Sequence, residues 1–184
     1  MDKKPLRLRY YGDPVLRKKA EPVSSVTPEI RELIAALFDT MYRERGIGLA
    51  APQVGVSQRI FVVDVEREAG ERLKLALVNP TLVLHAGVVI AEEGCLSIPG
   101  IHADVKRHAE VTFEGLDENG ARVTVRAEGL LARALQHELD HLDGVLFIDR
   151  LSAIRRKLLE PKLARMQAGE SEKPAPSASA SPSF

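Results

Sequence analysis

The spacing of apolar residues changes several times along the chain, and each change marks a new element. Thr27-Pro28-Glu29 combines a capping side chain, a proline at the first helical position and an acid facing the helix dipole. Ile30, Leu33, Ile34, Leu37, Phe38 and Met41 follow at helical spacing and form one stripe. Gly46 and Gly48 are expected to stop that helix. Ahead of it, residues 11–23 hold two prolines and read as an ordered loop with one short helical turn. Residues 59–65, 73–78 and 82–90 are rich in valine and isoleucine and read as strands. Residues 111–116 and 122–127 alternate on either side of Asp117-Glu118-Asn119-Gly120, the pattern of a hairpin. Residues 129–142 return to helical spacing, with Leu131, Leu135, Leu139 and Leu142 on one stripe and Leu130 and Ala134 on another. A helix that is apolar on two sides is central and buried. Residues 151–166 predict a basic helix that Pro161 should kink or end. From Gly169 the run GESEKPAPSASASPSF is of low complexity and is expected to be a disordered tail.

Composition narrows the class without choosing a function. The 184 residues suit one domain, residues 1–168, followed by the tail at 169–184. Lysine plus arginine equals aspartate plus glutamate at 26 each, so no global field draws the chain to DNA or a membrane. No apolar run approaches the ~20 residues of a membrane span, and the charged N-terminus lacks the apolar stretch of a secretory signal. The single cysteine, Cys95, cannot form an internal disulfide, which suits a reducing, cytoplasmic setting.

The chemistry enters with His137-Glu138-Leu139-Asp140-His141 on the central helix. Two histidines one turn apart point from the same face and can share one metal ion. Glu138 is rotated by about 100° from His137. It can therefore reach a coordinated water without being a ligand, as a general base does. Leu130 and Ala134 share the histidine face, which predicts an apolar pocket beside the metal, with Arg133 at its rim.

Two histidines need a third partner. Zinc proteases with this motif take it downstream, one large class through H-E-x-x-H-x-x-G-x-x-H. Here Gly144 is present, but the ligand position is Phe147 and no histidine follows His141. Upstream, Cys95 sits in a bend of glycine, serine and proline, and a thiolate with two imidazoles makes an S/N₂ site with its fourth position left for water. A fourth protein ligand from His85, His102 or His108 would instead make a closed, structural site. The acid beside the ligands argues for the open, catalytic form.

A glycine-rich loop, Gly46-Ile47-Gly48-Leu49-Ala50-Ala51-Pro52-Gln53, opens no helix and departs from G-x-G-x-x-G at Ala51, so it does not read as a dinucleotide loop. Its small residues let a backbone approach a ligand closely. Taken in order, GIGLAAPQ at 46–53, EGCLS at 93–97 and QHELDHLDG at 136–144 closely resemble the three motifs of the peptide deformylase family. The likeness also takes in GDPVLR near the start, VKR at 105–107 and GVLFIDRLS at 144–152, and so covers nearly all of residues 5–160.

What the resemblance implies is an α+β fold: small antiparallel sheets around the metal-binding helix, with a C-terminal helix. The implied activity is removal of the formyl group from the N-terminal methionine of new polypeptides, with release of formate. Cys95, His137 and His141 would hold one divalent ion, Fe2+ in the cell and often Zn2+, Ni2+ or Co2+ as isolated. Glu138 would be the acid/base, with the Leu96 N–H and the Gln53 amide on the oxyanion. Gly46, Ile47, Gly48 and Gly94 would line the peptide. Leu130 and Ala134 would take the methionine side chain; Arg107, and Arg133 at a position where the family often has an apolar residue, are further candidate substrate contacts. The implied partners are N-formyl-methionyl peptides and, through the basic helix, the ribosome. A monomer is expected.

Overall fold

The computed structural model describes residues 6–66 and 70–169. All of the expected tail except Gly169 lies outside these residues. The first long helix, α1, spans Pro28–Arg43, and the Thr27 hydroxyl accepts from the Ile30 N–H at 3.4 Å. Its end differs from expectation by one residue. Arg45, not Gly46, takes the left-handed conformation, at φ 60°. The Arg45 N–H donates to Tyr42 O at 3.1 Å and the Gly46 N–H to Met41 O at 2.9 Å, which together make a Schellman cap. Gly46 is needed elsewhere: a Cβ there would lie 2.7 Å from Leu96 Cδ1.

Seven strands follow: β1 (Gly48–Ala50), β2 (Ile60–Glu66), β3 (Arg72–Ala86), β4 (Val89–Cys95), β5 (Ile98–Arg107), β6 (Glu110–Leu116) and β7 (Arg122–Glu128). An antiparallel sheet runs in the order β1-β2-β3-β6-β7, and β4 and β5 form a separate antiparallel ribbon. The expected strands at 73–78 and 82–90 prove to be different pieces: β3 runs without a break to Ala86, and β4 begins at Val89. The irregularity inside β3 has a cause. Asn79 adopts φ 52°, proline follows it, and the ladder with β6 shifts register between Val78 and Thr81. The Asn79 amide closes this kink onto both backbone groups of Val23, at 2.8 and 2.7 Å.

Strand β2 is buried on both faces, so it reads as a continuous apolar run. Phe61 and Val63 join a core with Leu77, Val111, Phe113 and the Leu131, Leu135 and Leu142 stripe of α2 (Gly129–Leu142). Ile60 and Val62 point the other way, into the core under α1 with Ile34, Leu37 and Met41. A third core holds Cys95, Ile98, Val105 and Phe147 against Leu163 and Met166 of α3 (Ala153–Gln167). Of the two outcomes expected at Pro161, a kink or an end, the second does not occur: α3 runs through it. Among the described residues no helix is long and apolar enough to cross a membrane.

Candidate metal centre

Helix α2 is held between a sheet and a ribbon, and its polar face is therefore dry. Along that face His137 and His141 are each 1% exposed and Glu138 is fully enclosed. Cys95 arrives at the end of β4, where the ribbon turns through Leu96 and Ser97 into β5. Ligand atoms of Cys95, His137 and His141 all lie within 4.8 Å of one another. Cys95 Sγ is 3.3 Å from His141 Nε2. His137 contacts Glu93 Oε2 through Nδ1 at 3.0 Å, which leaves Nε2 as its ligand atom.

The donor set fits a cation. Burial holds the His141 imidazole well below its usual range, so it stays neutral with a lone pair to offer. The same burial pushes the Cys95 thiol up to about 12. A thiolate there needs a positive ion sharing the pocket. Glu138 is pushed well above the usual carboxylate range by burial, and neither of its oxygens has a hydrogen-bond partner in the protein. A buried carboxyl without protein partners, beside three convergent donors, is arranged to exchange a proton with a small molecule.

Other expected residues fall around this centre. Gln53 is fully buried; Oε1 accepts from the Ala50 N–H at 2.8 Å, which fixes the amide so that Nε2 faces Ser97 Oγ at 3.2 Å and Cys95 Sγ at 3.6 Å. Gly48 lies against Glu138, where a Cβ would collide with the carboxylate. Gly94 is buried in β4, and Leu96 packs over Gly46. β1 is an edge strand whose Ile47 C=O accepts from the Asp64 N–H at 2.9 Å. In an antiparallel ladder that turns the peptide groups of Gly48 toward the open edge. Ala134 is fully buried on α2, and Leu130 stands on the wall of a groove of about 1020 Å3 that none of Cys95, His137, Glu138 or His141 lines. His85 and His108 stack on each other with centroids 3.9 Å apart and are not in the metal cluster.

One expectation needs correction. Arg107 is not a substrate contact, because it is buried in a network of ion pairs. It grips Glu93 through Nε and Nη2 at 3.0 and 2.9 Å and Asp140 through Nη1 at 2.6 Å. Arg150 donates to both oxygens of Asp140, Oδ1 at 2.5 Å and, shared with Arg107, Oδ2 at 3.0 Å. Arg133 stands one turn before His137, donates to the Glu92 carbonyl and brings Nε within 3.8 Å of Glu93 Oε1. Burial would push Glu93 up, but bonds to His137 and Arg107 outweigh it and bring the carboxyl to about 2. Glu93 and Asp140 were missed as functional positions. The available signal was an acid within each ligand motif, at positions the fold buries.

A Cys/His/His centre with a buried acid, shared between one helix and the end of a strand in an α+β fold, is the site of a metal-dependent hydrolase. The profile of the polypeptide deformylase family matches residues 5–157. The peptide deformylase of Thermodesulfovibrio yellowstonii is 46% identical over 157 residues, 85% of this chain and 95% of the relative. That of Halothermothrix orenii is 49% identical over 154 residues, 84% and 98% of the two chains. Among solved structures, a peptide deformylase from Legionella pneumophila superimposes with TM-score 0.81 at 43% identity, covering 91% of this chain and 98% of the other. One from Synechococcus elongatus, in complex with actinonin, gives 0.80 at 45% identity, covering 88% and 90%. The chain belongs to the peptide deformylase family, a family of metal-dependent hydrolases.

Removing Arg107 would take from buried Glu93 the guanidinium that binds both its oxygens and leave Asp140 to Arg150 alone. Arg107→Met should lower the unfolding free energy by ~3–5 kcal/mol in urea denaturation. It should also weaken metal binding by roughly 10–100-fold through the loosened Glu93–His137 contact. A variant as stable and as tightly metallated as the parent would contradict this reading of the network.

Proposed function

We propose that the chain removes the N-formyl group from formyl-methionyl peptides at a single divalent ion held by Cys95, His137 and His141. The observation that carries this is the fully buried Glu138 carboxyl, without protein hydrogen bonds, set between those donors and the open edge of β1. We assign Fe2+ as the ion in the cell, with Zn2+, Ni2+ or Co2+ able to replace it, since thiolate with imidazole accepts any of these. The enzyme acts in the cytoplasm as a monomer, with residues 1–168 as its catalytic unit.

When bound, the ion supplies Lewis acidity that lets a water give up its proton near neutral pH. Glu138 accepts that proton as the formyl carbon is attacked, and its raised affinity for protons suits it to hold one. Charge growing on the formyl oxygen is met by the Gln53 Nε2–H, already aimed by the Ala50 N–H, and by the Leu96 N–H. Glu138 then returns the proton to the departing amine. The peptide adds as a further strand along Gly46, Ile47 and Gly48, with Gly94 on the facing side. The methionine side chain lies against Leu130 and Ala134, with Arg133 at the rim.

The basic face of α3 is our assignment for contact with the ribosome. Arg155 and Arg156 already pair with Asp104 and Asp149, which leaves Lys157, Lys162 and Arg165 beside the exposed Ile154 and Leu158. Replacing those three cations with serine should abolish co-sedimentation with ribosomes; retention would count against the assignment.

Glu138→Ala should keep the metal and lower formate release from formyl-Met-Ala by about 10²–10⁴-fold. Near-full activity would refute its role. At the rim, the parent should turn over formyl-Nle and formyl-Met peptides alike. Arg133→Leu should lose whatever activity the parent shows on formyl-Glu peptides. An unchanged formyl-Glu rate in that variant would remove Arg133 from the pocket.

A further inference from the structure

The cap of α1 contains a choice that packing alone does not explain. A left-handed C-cap position ordinarily belongs to glycine, because a side chain there crowds the backbone. Here it is occupied by Arg45 at φ 60°, although neither backbone hydrogen bond of the cap involves its side chain. The other described non-glycine residue with positive φ, Asn79, uses its amide to hold Val23. Strain that persists without a local structural return points to a function.

Position supplies the function. Gly48 lies against the Glu138 carboxylate, so the formyl group of a bound peptide stands opposite Gly48. Along the open edge of β1 the chain runs back from Gly48 through Ile47 and Gly46 to Arg45. Pairing at ~3.3 Å per residue carries the first two residues of the peptide past Ile47 and Gly46; the third then leaves this edge where the chain turns into the cap that carries Arg45. The neighbouring charges are already engaged. Arg43 pairs with Glu44 at 3.3 Å and also donates to the Leu6 carbonyl, while Asp64 is held by Tyr42 at 2.5 Å and Arg72 at 2.7 Å. Arg45 is exposed, and no hydrogen bond or ion pair of its side chain occurs among the described residues.

We propose that Arg45 is a specificity residue that recognises an acidic side chain at the third position of the formyl peptide, counting formyl-methionine as the first. The proposal rests on the deformylase reading above. The Schellman cap fixes the backbone from which the Arg45 side chain leaves, so the guanidinium is tethered beside the end of this edge. A carboxylate two residues beyond the methionine gains an ion pair there, and a lysine at that place meets a like charge.

The test compares kcat/KM for formyl-Met-Ala-Glu-Ser-amide and formyl-Met-Ala-Lys-Ser-amide, by formate release from the metal-loaded full chain. The parent should favour the glutamate peptide by roughly two- to fivefold at low salt, the scale of an exposed ion pair. The ratio should fall toward one in about 0.5 M NaCl. Arg45→Asn, which tolerates the left-handed backbone, should bring the ratio to one at low salt. Arg45→Gly should do the same while raising the thermal midpoint by roughly 2–4 °C. Formate from both peptides with no preference in the parent, or a preference that survives in Arg45→Asn, overturns the proposal and leaves the deformylase reading intact. An unchanged or lowered midpoint in Arg45→Gly overturns the strain argument that supports it. Formate from neither peptide overturns both readings.

Discussion

A single carboxylate, Glu93, sets the orientation on which the centre depends. It contacts Nδ1 of His137 and so leaves the opposite nitrogen to face Cys95 and His141. Its own charge survives burial because Arg107 binds both oxygens. Arg107 in turn is tolerated inside the protein because Asp140 takes its remaining edge, and Asp140 is steadied by Arg150. Each buried charge thus has a partner, as a dry interior requires. The chain of contacts ends at α2, so the helix that supplies two ligands is also tied to the ribbon that supplies the third.

One physical cause, burial, acts on the reacting groups in different directions. It disfavours charge on Cys95, His141 and Glu138 alike. For histidine that means a free lone pair, for cysteine a retained proton until a cation arrives, and for glutamate a readiness to carry a proton in either direction. Glu93 escapes the same fate only through its hydrogen bonds. The apolar stripes that bury α2 are therefore part of the chemistry as well as of the fold.

The helices were legible because their signals are local: the Thr27 cap, the stripe from Ile30 to Met41, and the leucines of α2. The H-E-x-x-H spacing made two ligands legible, and the absence of any later histidine pointed to Cys95. Strand β5 was missed because Pro99, Gly100, His102 and Asp104 carry little strand propensity; its pairing with β4 overrides that. The role of Arg107 was misread because an arginine in a sequence reads as exposed, and only the fold brings Glu93, Arg107 and Asp140 together. Pro161 failed to end α3, where propensity yielded to a cap at Ser152 and to packing of Leu163 and Met166. Arg45 lay beyond local reading because the glycine next to it was the expected stop.

The proposed chemistry depends most directly on one ion at Cys95, His137 and His141. Metal-stripped protein titrated anaerobically with Fe2+ in the presence of formyl-Met-Ala should release no formate at first. The rate should then rise linearly and level off at one equivalent. Formate release without added metal, or activity that appears only with a second equivalent, would contradict it.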